Sequence, residues 1–316
     1  MMSDAKQEPS VIAAPTAGLS RADLLALTKF RLSSLVIVTT FFGFWLNSKQ
    51  GVDLWLLLHT LIGATLAAFG AAVFNQLMEI APDSRMRRTD DRPLPSRRME
   101  PGIAFGIGWL LSAFALIHLA KMVNVESAAV TALTLTVYLF IYTPMKQHSE
   151  WNTIVGAVSG ALPPLIGWVG AAGAAREGDA YFRLELFMAP GAAYLFLLLF
   201  LWQLPHFLAI NWMYRDEYRK GGFVMWANDD STGRRTARLA LVFSVLSAAL
   251  MLLPVMSGRT SDWFLVPALL INGILILLTL RFQKARDHAS ARKLFLFTLI
   301  YLPALLICTA LFWRRG

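Results

Sequence analysis

The sequence predicts an all-α integral membrane protein, a bundle of nine transmembrane helices. Three observations predict it. Hydrophobic residues make up 56% of the 316 positions and charged residues only 16%, against about 25% charged in an ordinary soluble domain. Nine apolar stretches are long enough to cross a bilayer, which takes roughly 17–25 residues each. Of the 29 Lys and Arg residues, 22 fall in alternate connections on one side of those stretches. This bias places the N-terminus and the arginine-rich loops in the cytoplasm.

In chain order the apolar runs cover 32–48, 54–79, 102–120, 125–143, 152–172, 186–213, 239–257, 262–280 and 294–313. Residues 1–30 contain no apolar core of the signal-peptide type and carry Asp4, Glu8 and Asp23. They are expected to form a tail with a short surface helix, and residues 31–316 a single domain. The second and sixth runs are overlong and end in the most polar parts of the chain, so both are expected to project beyond the hydrocarbon. Three runs lie between them, so the sixth is four crossings on from the second and keeps its direction, and each leads into a long charged loop. The two loops are expected to form one polar cap. In the fifth run, Pro163 and Pro164 interrupt the helix, and Gly156, Gly160 and Ala161 favour close helix packing. The net charge of +9 follows from the loop asymmetry and needs no nucleic-acid partner. Cys308 is the single cysteine, which excludes an internal disulfide and a cysteine-based metal site.

The second run ends in "NQLMEIAPDSRMRRTDDRPLPSRR". Asn75, Glu79 and Asp83 recur every fourth residue and share one helical face. Such spaced acids mark either a helix end or a site for a hard divalent cation, which takes carboxylate oxygens together with substrate phosphates. Pro82 is expected to end or kink the helix near Met78 and to turn Asp83 toward the interior. Among the following arginines, most suit a basic juxtamembrane loop. Arg88 and Arg92 stand out because they flank "TDDRPLP", where Pro93 and Pro95 stiffen the chain, and a guanidinium matches phosphate geometry. Tyr142 sits at an interface position, and Lys146 is the sole basic residue of the short loop after the fourth run: an anchor or a phosphate contact. His206 lies inside the sixth run, after Gln203 and Pro205. Its readings are a helix–helix hydrogen bond, proton transfer, or contact with a haem or metal. Asn211, Asp216 and Glu217 follow, either as a solvated helix end or as a second acidic group. His59, His118, His148 and His288 have no neighbouring constellation in sequence.

These residues resemble the UbiA family of intramembrane prenyltransferases, and in particular its haem-modifying branch, from about Leu27 to the C-terminus. "FNQLMEIAPDSRMRRTDDRPLP" is similar to the family's Asn- and Asp-rich motif followed by Arg-Thr-x-x-Arg-Pro. "YTPMKQHSEWNTIVGAVSGALPPLIGW" and "FLWQLPHFLAINW" are similar to the haem-modifying branch. The sequence departs from the family pattern at Glu79, where Asp is common, at Ala81, where another acid stands, and at "TKFR", where Phe30 replaces Pro.

The resemblance implies the UbiA-type nine-helix fold. It also implies an Mg²⁺-dependent transfer of farnesyl from farnesyl diphosphate to a vinyl group of haem b, giving haem O. Asn75, Glu79, Asp83 and His206 would be catalytic, with Glu79, Asp83 and Asp216 on the metal. Arg88, Arg92, Lys146 and Tyr142 would contact the diphosphate, and Asn211, Asp216 and Glu217 would form the second acidic motif. The implied location is the cell inner membrane, with the site on the cytoplasmic side. The partners would be the bilayer and, downstream, haem A synthase or terminal-oxidase assembly. Two other readings stand beside this one: a UbiA-type enzyme acting on a quinone precursor or other acceptor, and a proton- or ion-coupled transporter using Glu79 and Asp216.

Overall fold

The computed structural model describes residues 20–49, 51–173 and 181–314; the expected tail, 1–19, lies outside them. Among the described residues nine apolar helices follow one another: α1 (Phe30–Asn47), α2 (Leu54–Met78), α3 (Pro101–Met122), α4 (Val125–Met145), α5 (Asn152–Gly170), α6 (Pro190–Met213), α7 (Arg234–Met256), α8 (Asp262–Ala285) and α9 (His288–Phe312). A short helix, Arg21–Leu27, precedes them. Most of its side chains are exposed, but Leu27 is fully buried against Val73, Leu94 and Met99. Gln76 holds the helix end by donating to the Ala26 and Leu27 carbonyls, each at 2.8 Å.

Local signals start the helices. The side chains of Asp53, Asn124 and Asp287 accept from the first-turn amides of Leu56, Ser127 and Ser290, satisfying donors that a helix leaves free. Pro101 and Pro190 open α3 and α6, where a missing N–H costs nothing. The observed helices depart from the apolar windows at their polar ends. α7 begins five residues before the expected 239 and α9 six before 294, because Arg234, Arg235, Arg238, Arg292 and Lys293 continue the helix past the apolar stretch. In the opposite direction, Ala189 is extended (ψ 136°), so 186–189 fall outside α6.

α5 and α6 are the most buried of the nine, and the others expose apolar side chains such as Trp109, Phe140 and Leu311. α5 is broken as expected, into Asn152–Gly160 and Pro163–Gly170. Its second half crosses α1 with the backbones nearly touching. A Cβ on Gly43 would lie 1.9 Å from the Pro164 carbonyl oxygen, and one on Gly167 would lie 1.8 Å from that of Thr40. Only glycine permits that approach. Buried hydroxyls mostly turn back on carbonyls of their own helix, and long-range pairs join Tyr194 to Thr309 and Tyr301 to Asn272. At the end of the bundle where α2 begins, Glu126 and Arg183 form a bidentate ion pair at 2.8 and 3.1 Å. His59 and His118, unrelated in sequence, meet there at 3.1 Å across α2 and α3.

At the opposite end, the start of α1 and the C-termini of α2, α4 and α6 come together. The segments 79–100 and 214–233 cover them as one cap. The Arg87 amide donates to Glu217, and Met86 packs on Phe223 and Met225. The expected polar cap is therefore formed, and it has a small apolar centre of its own.

Candidate functional site

The site is built on the broken end of α2. Its regular helix stops at Met78, and Glu79 leaves the helical region at φ −107°, ψ 13°. A four-residue helix, Ile80–Asp83, then restarts the chain. Pro82 thus acts as expected: the break keeps Asn75, Glu79 and Asp83 all buried on the inner side.

Each of these three side chains is held by one cation. The Lys29 ammonium donates to the Asn75 side-chain oxygen, Lys146 donates to Glu79 at 2.7 Å, and Arg92 donates to Asp83 at 2.5 Å. Asn75 in turn donates to the Thr143 hydroxyl at 3.2 Å. Burial works against the charge on Glu79, but the ammonium groups of Lys146 and Lys29 outweigh it and hold the carboxyl below its usual range. Burial also opposes the charge on Lys146, and the Glu79 carboxylate overcomes that and raises it. For Asp83, burial prevails over the neighbouring guanidinium and pushes the carboxyl up. Lys29 is pushed down to about 7, first by burial and then by the Arg92 charge.

Lys146 follows α4 directly. The last part of that helix, Val137–Tyr142, is wound as a π-helix, a departure common at functional sites. It places the Tyr142 ring 4.5 Å beneath the Lys146 ammonium, and Gly156 leaves room for that ring. Phe223 lies 5.9 Å from the same ammonium. The Val224 amide donates to the Lys146 carbonyl at 2.7 Å, and Asn152 donates to the Val224 carbonyl. The 214–233 segment is thereby pinned over the lysine.

Below this charged cluster lies a cavity of about 250 Å³ between α1, α2, α4, α5 and α6. Lys29, Tyr138 and Tyr142 line its upper part, and Ala64, Ala67, Ala68, Ala71 and Ala72 form one wall. Ser33, Thr39, Thr131, Thr134 and Ser159 also line it, but their hydroxyls bond nearby backbone carbonyls. The walls therefore offer mostly hydrocarbon.

The remaining expected residues are placed differently. Arg88 is exposed, with its guanidinium 5.2 Å over the Tyr214 ring and 5.7 Å over Tyr218. Asn211 is buried near the end of α6. Asp216 does not join Glu79 and Asp83: its side chain is 72% exposed, between Arg215 and Arg219. The helix Arg215–Gly221 that carries it turns the adjacent Glu217 inward instead, onto the Arg87 amide at 2.9 Å. His206 makes the helix–helix hydrogen bond that was one of its expected readings. The cavity is lined by its neighbours Trp202, Gln203 and Phe207, whereas His206 bonds the Thr298 hydroxyl at 2.7 Å and packs on Phe295 of α9. Trp202 stacks on His206 and donates to the Thr298 carbonyl, so His206 acts on the cavity wall through Trp202.

Lys29 was missed as a site residue, although "TKFR" marks its position. It occupies the left-handed region at φ 46°, uncommon for a non-glycine residue. Among the described residues no three His, Cys, Asp or Glu side chains form a metal cluster. The fit to a hard cation rests instead on two buried carboxylates and an amide oxygen at successive turns. Such a set suits Mg²⁺, which is bound by one or two carboxylates with substrate phosphates supplying further ligands.

A buried acid and amide face, three cations, and an apolar cavity between membrane helices define an intramembrane enzyme for a substrate with an anionic head and a hydrocarbon tail. The UbiA prenyltransferase family model matches residues 36–301, and the chain belongs to that family. It is 38% identical to a protoheme IX farnesyltransferase of Solibacter usitatus over 89% of this chain and 95% of the relative. To a protein of the same name from Salinibacter ruber it is 35% identical, over 92% and 98%. Among solved structures, a digeranylgeranylglyceryl phosphate synthase aligns with a TM-score of 0.73 at 16% identity, covering 92% of this chain and 97% of the other. A UbiA homologue of Archaeoglobus fulgidus bound to GPP and Mg²⁺ aligns at 0.61 and 12% identity, over 91% and 99%. The expected fold is therefore correct.

Proposed function

We propose that this protein transfers the farnesyl group of farnesyl diphosphate to a vinyl group of haem b, with addition of water, releasing diphosphate and haem O. The observation that carries this reading is the one-to-one pairing of Lys29, Lys146 and Arg92 with Asn75, Glu79 and Asp83 at the mouth of an apolar cavity. Relatives that match the chain nearly end to end share this named activity.

The diphosphate sits against the three cations, with its tail in the cavity. Asn75, Glu79 and Asp83 would hold Mg²⁺, which would neutralise the diphosphate. As the C1–O bond of the farnesyl group breaks, its electron pair leaves with the diphosphate, where Lys29, Lys146 and Arg92 meet the growing charge. The allylic cation left behind faces Tyr138, Tyr142 and an aliphatic wall, which exclude water and present π faces. The vinyl π pair of haem then forms the new C–C bond. Water captures the resulting carbocation and loses a proton, giving the hydroxyl group.

His206 and Thr298 hold the Trp202 ring in the cavity wall, and Glu217 closes the cap by binding the Arg87 amide. Arg88, at the exposed edge, would meet incoming diphosphate. Asp216 faces solvent beside it and would reach the metal only on closure of the cap. The charge bias of the loops supports a cytoplasmic N-terminus and cap, in a multi-pass chain of the cell inner membrane. Residues 31–316 would act as one domain, with the haem product passed to haem A synthase or oxidase assembly.

The test is to incubate purified protein with haem b, farnesyl diphosphate and Mg²⁺, and to analyse the haem by chromatography and mass spectrometry. Haem O, lost on adding chelator, is the expected product. A preparation that binds both substrates and yields none would overturn the assignment and favour another acceptor.

A further inference from the structure

The cavity lining stops partway along every helix that forms it. Its deepest lining residues include Thr39, Ala64, Thr131, Ile166 and Leu199. At about 1.5 Å per helical residue, the lining spans roughly 15 Å on α1 from Lys29, and roughly 16 Å on α4 from Tyr142. On α2 and α6 it spans roughly 12 Å, from Ala72 and from Phe207.

Immediately beyond it, where α1 meets α5, the two backbones touch. The α1–α5 crossing at Gly43, Pro164 and Gly167 leaves no room for even a methyl group. Hydrogen bonds knot the same level: the Thr40 hydroxyl donates to the Pro163 carbonyl at 3.2 Å, and Ser127 to the Ile166 carbonyl at 3.3 Å. A floor of this kind cannot be displaced by rotating one side chain.

At about 1.2 Å per extended chain bond, farnesyl reaches roughly 13 Å from its diphosphate-bearing carbon, geranyl roughly 8 Å and geranylgeranyl roughly 18 Å. We propose that the α1–α5 backbone crossing is a length gauge. It admits three isoprene units and rejects a fourth, with Ile166 as the terminal contact and Ala68 as the position that keeps the third unit's space open. The proposal rests on prenyl diphosphate being the substrate, and adds what sets the tail length. Ala68 is only half-buried because it faces the cavity, and it lies roughly 10 Å below Asn75 on α2. A large side chain there would leave space for geranyl alone.

The experiment measures binding of the non-transferring thiolodiphosphates of geranyl, farnesyl and geranylgeranyl to the full-length protein in detergent, alongside haem prenylation from the three parent diphosphates. Wild type should favour farnesyl over geranylgeranyl by on the order of tenfold or more, the scale set by misfit of a few methylenes in an apolar pocket. Ile166→Ala should narrow that ratio several-fold. Ala68→Phe should reverse the preference between farnesyl and geranyl, a readout that requires a folded protein and so excludes simple misfolding. Equal binding of farnesyl and geranylgeranyl in wild type, or a farnesyl-to-geranyl ratio unmoved by Ala68→Phe, overturns the gauge while leaving prenyl transfer standing. Failure of wild type to bind any of the three analogues overturns both.

Discussion

Replacing Glu79 by Gln keeps the side chain's shape and removes its charge, which separates what the residue does for stability from what it does for catalysis. Glu79 is nearly fully buried, and Lys146 lies 2.7 Å away with little exposure of its own. The substitution leaves an ammonium group facing an amide, beside the Tyr142 and Phe223 rings. Removing one partner of a buried pair costs about 3–5 kcal/mol, which for a chain of this size is on the order of 10 °C in Tm. The sign with pH follows from the depressed carboxyl of Glu79. Its contribution is present above the unfolded value of 4.5 and is lost as pH falls below it. Glu79→Gln should therefore flatten the acid side of the stability profile.

The double variant Glu79→Gln/Lys146→Met removes the stranded charge and places a thioether between two rings, a favourable contact. It should recover most of the lost Tm. Haem farnesylation should not recover, because both the metal-facing oxygen and a diphosphate cation are gone. A loss of about two orders of magnitude or more is expected, the scale of removing one group that meets developing charge. Thermal unfolding in detergent and mass-spectrometric detection of haem O read the two effects separately. Activity of Glu79→Gln within about threefold of wild type, or activity restored in the double variant, would refute the role given to Glu79.

Further outcomes are expected at Asp83, at Lys29 and at two glycines. Asp83→Asn should cost much less stability than Glu79→Gln, because burial already pushes that carboxyl up, yet it should abolish Mg²⁺-dependent turnover; thermal unfolding and the product assay compare the two variants. Lys29, pushed down to about 7, binds fewer protons in the folded than in the unfolded state between about pH 7 and 10.5. Stability should therefore rise with pH across that window, and Lys29→Met should remove this slope. Farnesyl diphosphate binding should take up protons above pH 7, measured by calorimetry in buffers of different ionisation enthalpy. At the helix crossing, Gly43→Val should lower Tm strongly, since its Cβ would lie 1.9 Å from a carbonyl oxygen, whereas a Cβ at Gly106 meets nothing within 4 Å. Gly106→Ala should raise stability by about 0.5–1 kcal/mol.

The nine helices and the position of the acid motif were legible in the sequence because both are local. Apolar run length fixes a span, and a four-residue period fixes a helical face. The breaks at Pro82 and at Pro163–Pro164 were legible for the same reason: proline acts on the backbone of its own turn. Other features depended on contacts between distant segments. No spacing says that Lys29 reaches Asn75 or that Lys146 takes Glu79, since these pairs form only when the ends of α1, α2 and α4 come together; Arg92 reaches Asp83 within the one loop, nine residues away, through the fold of that loop. The direction of a side chain was equally hidden. His206 follows Gln203 by three residues, but packing against α9 turns it from the cavity that Gln203 lines. Asp216 and Glu217 are adjacent acids, and one helical step leaves the first in solvent and carries the second to Arg87. The floor of the cavity is also tertiary, because Gly43 and Gly167 read as ordinary small residues until two backbones meet there.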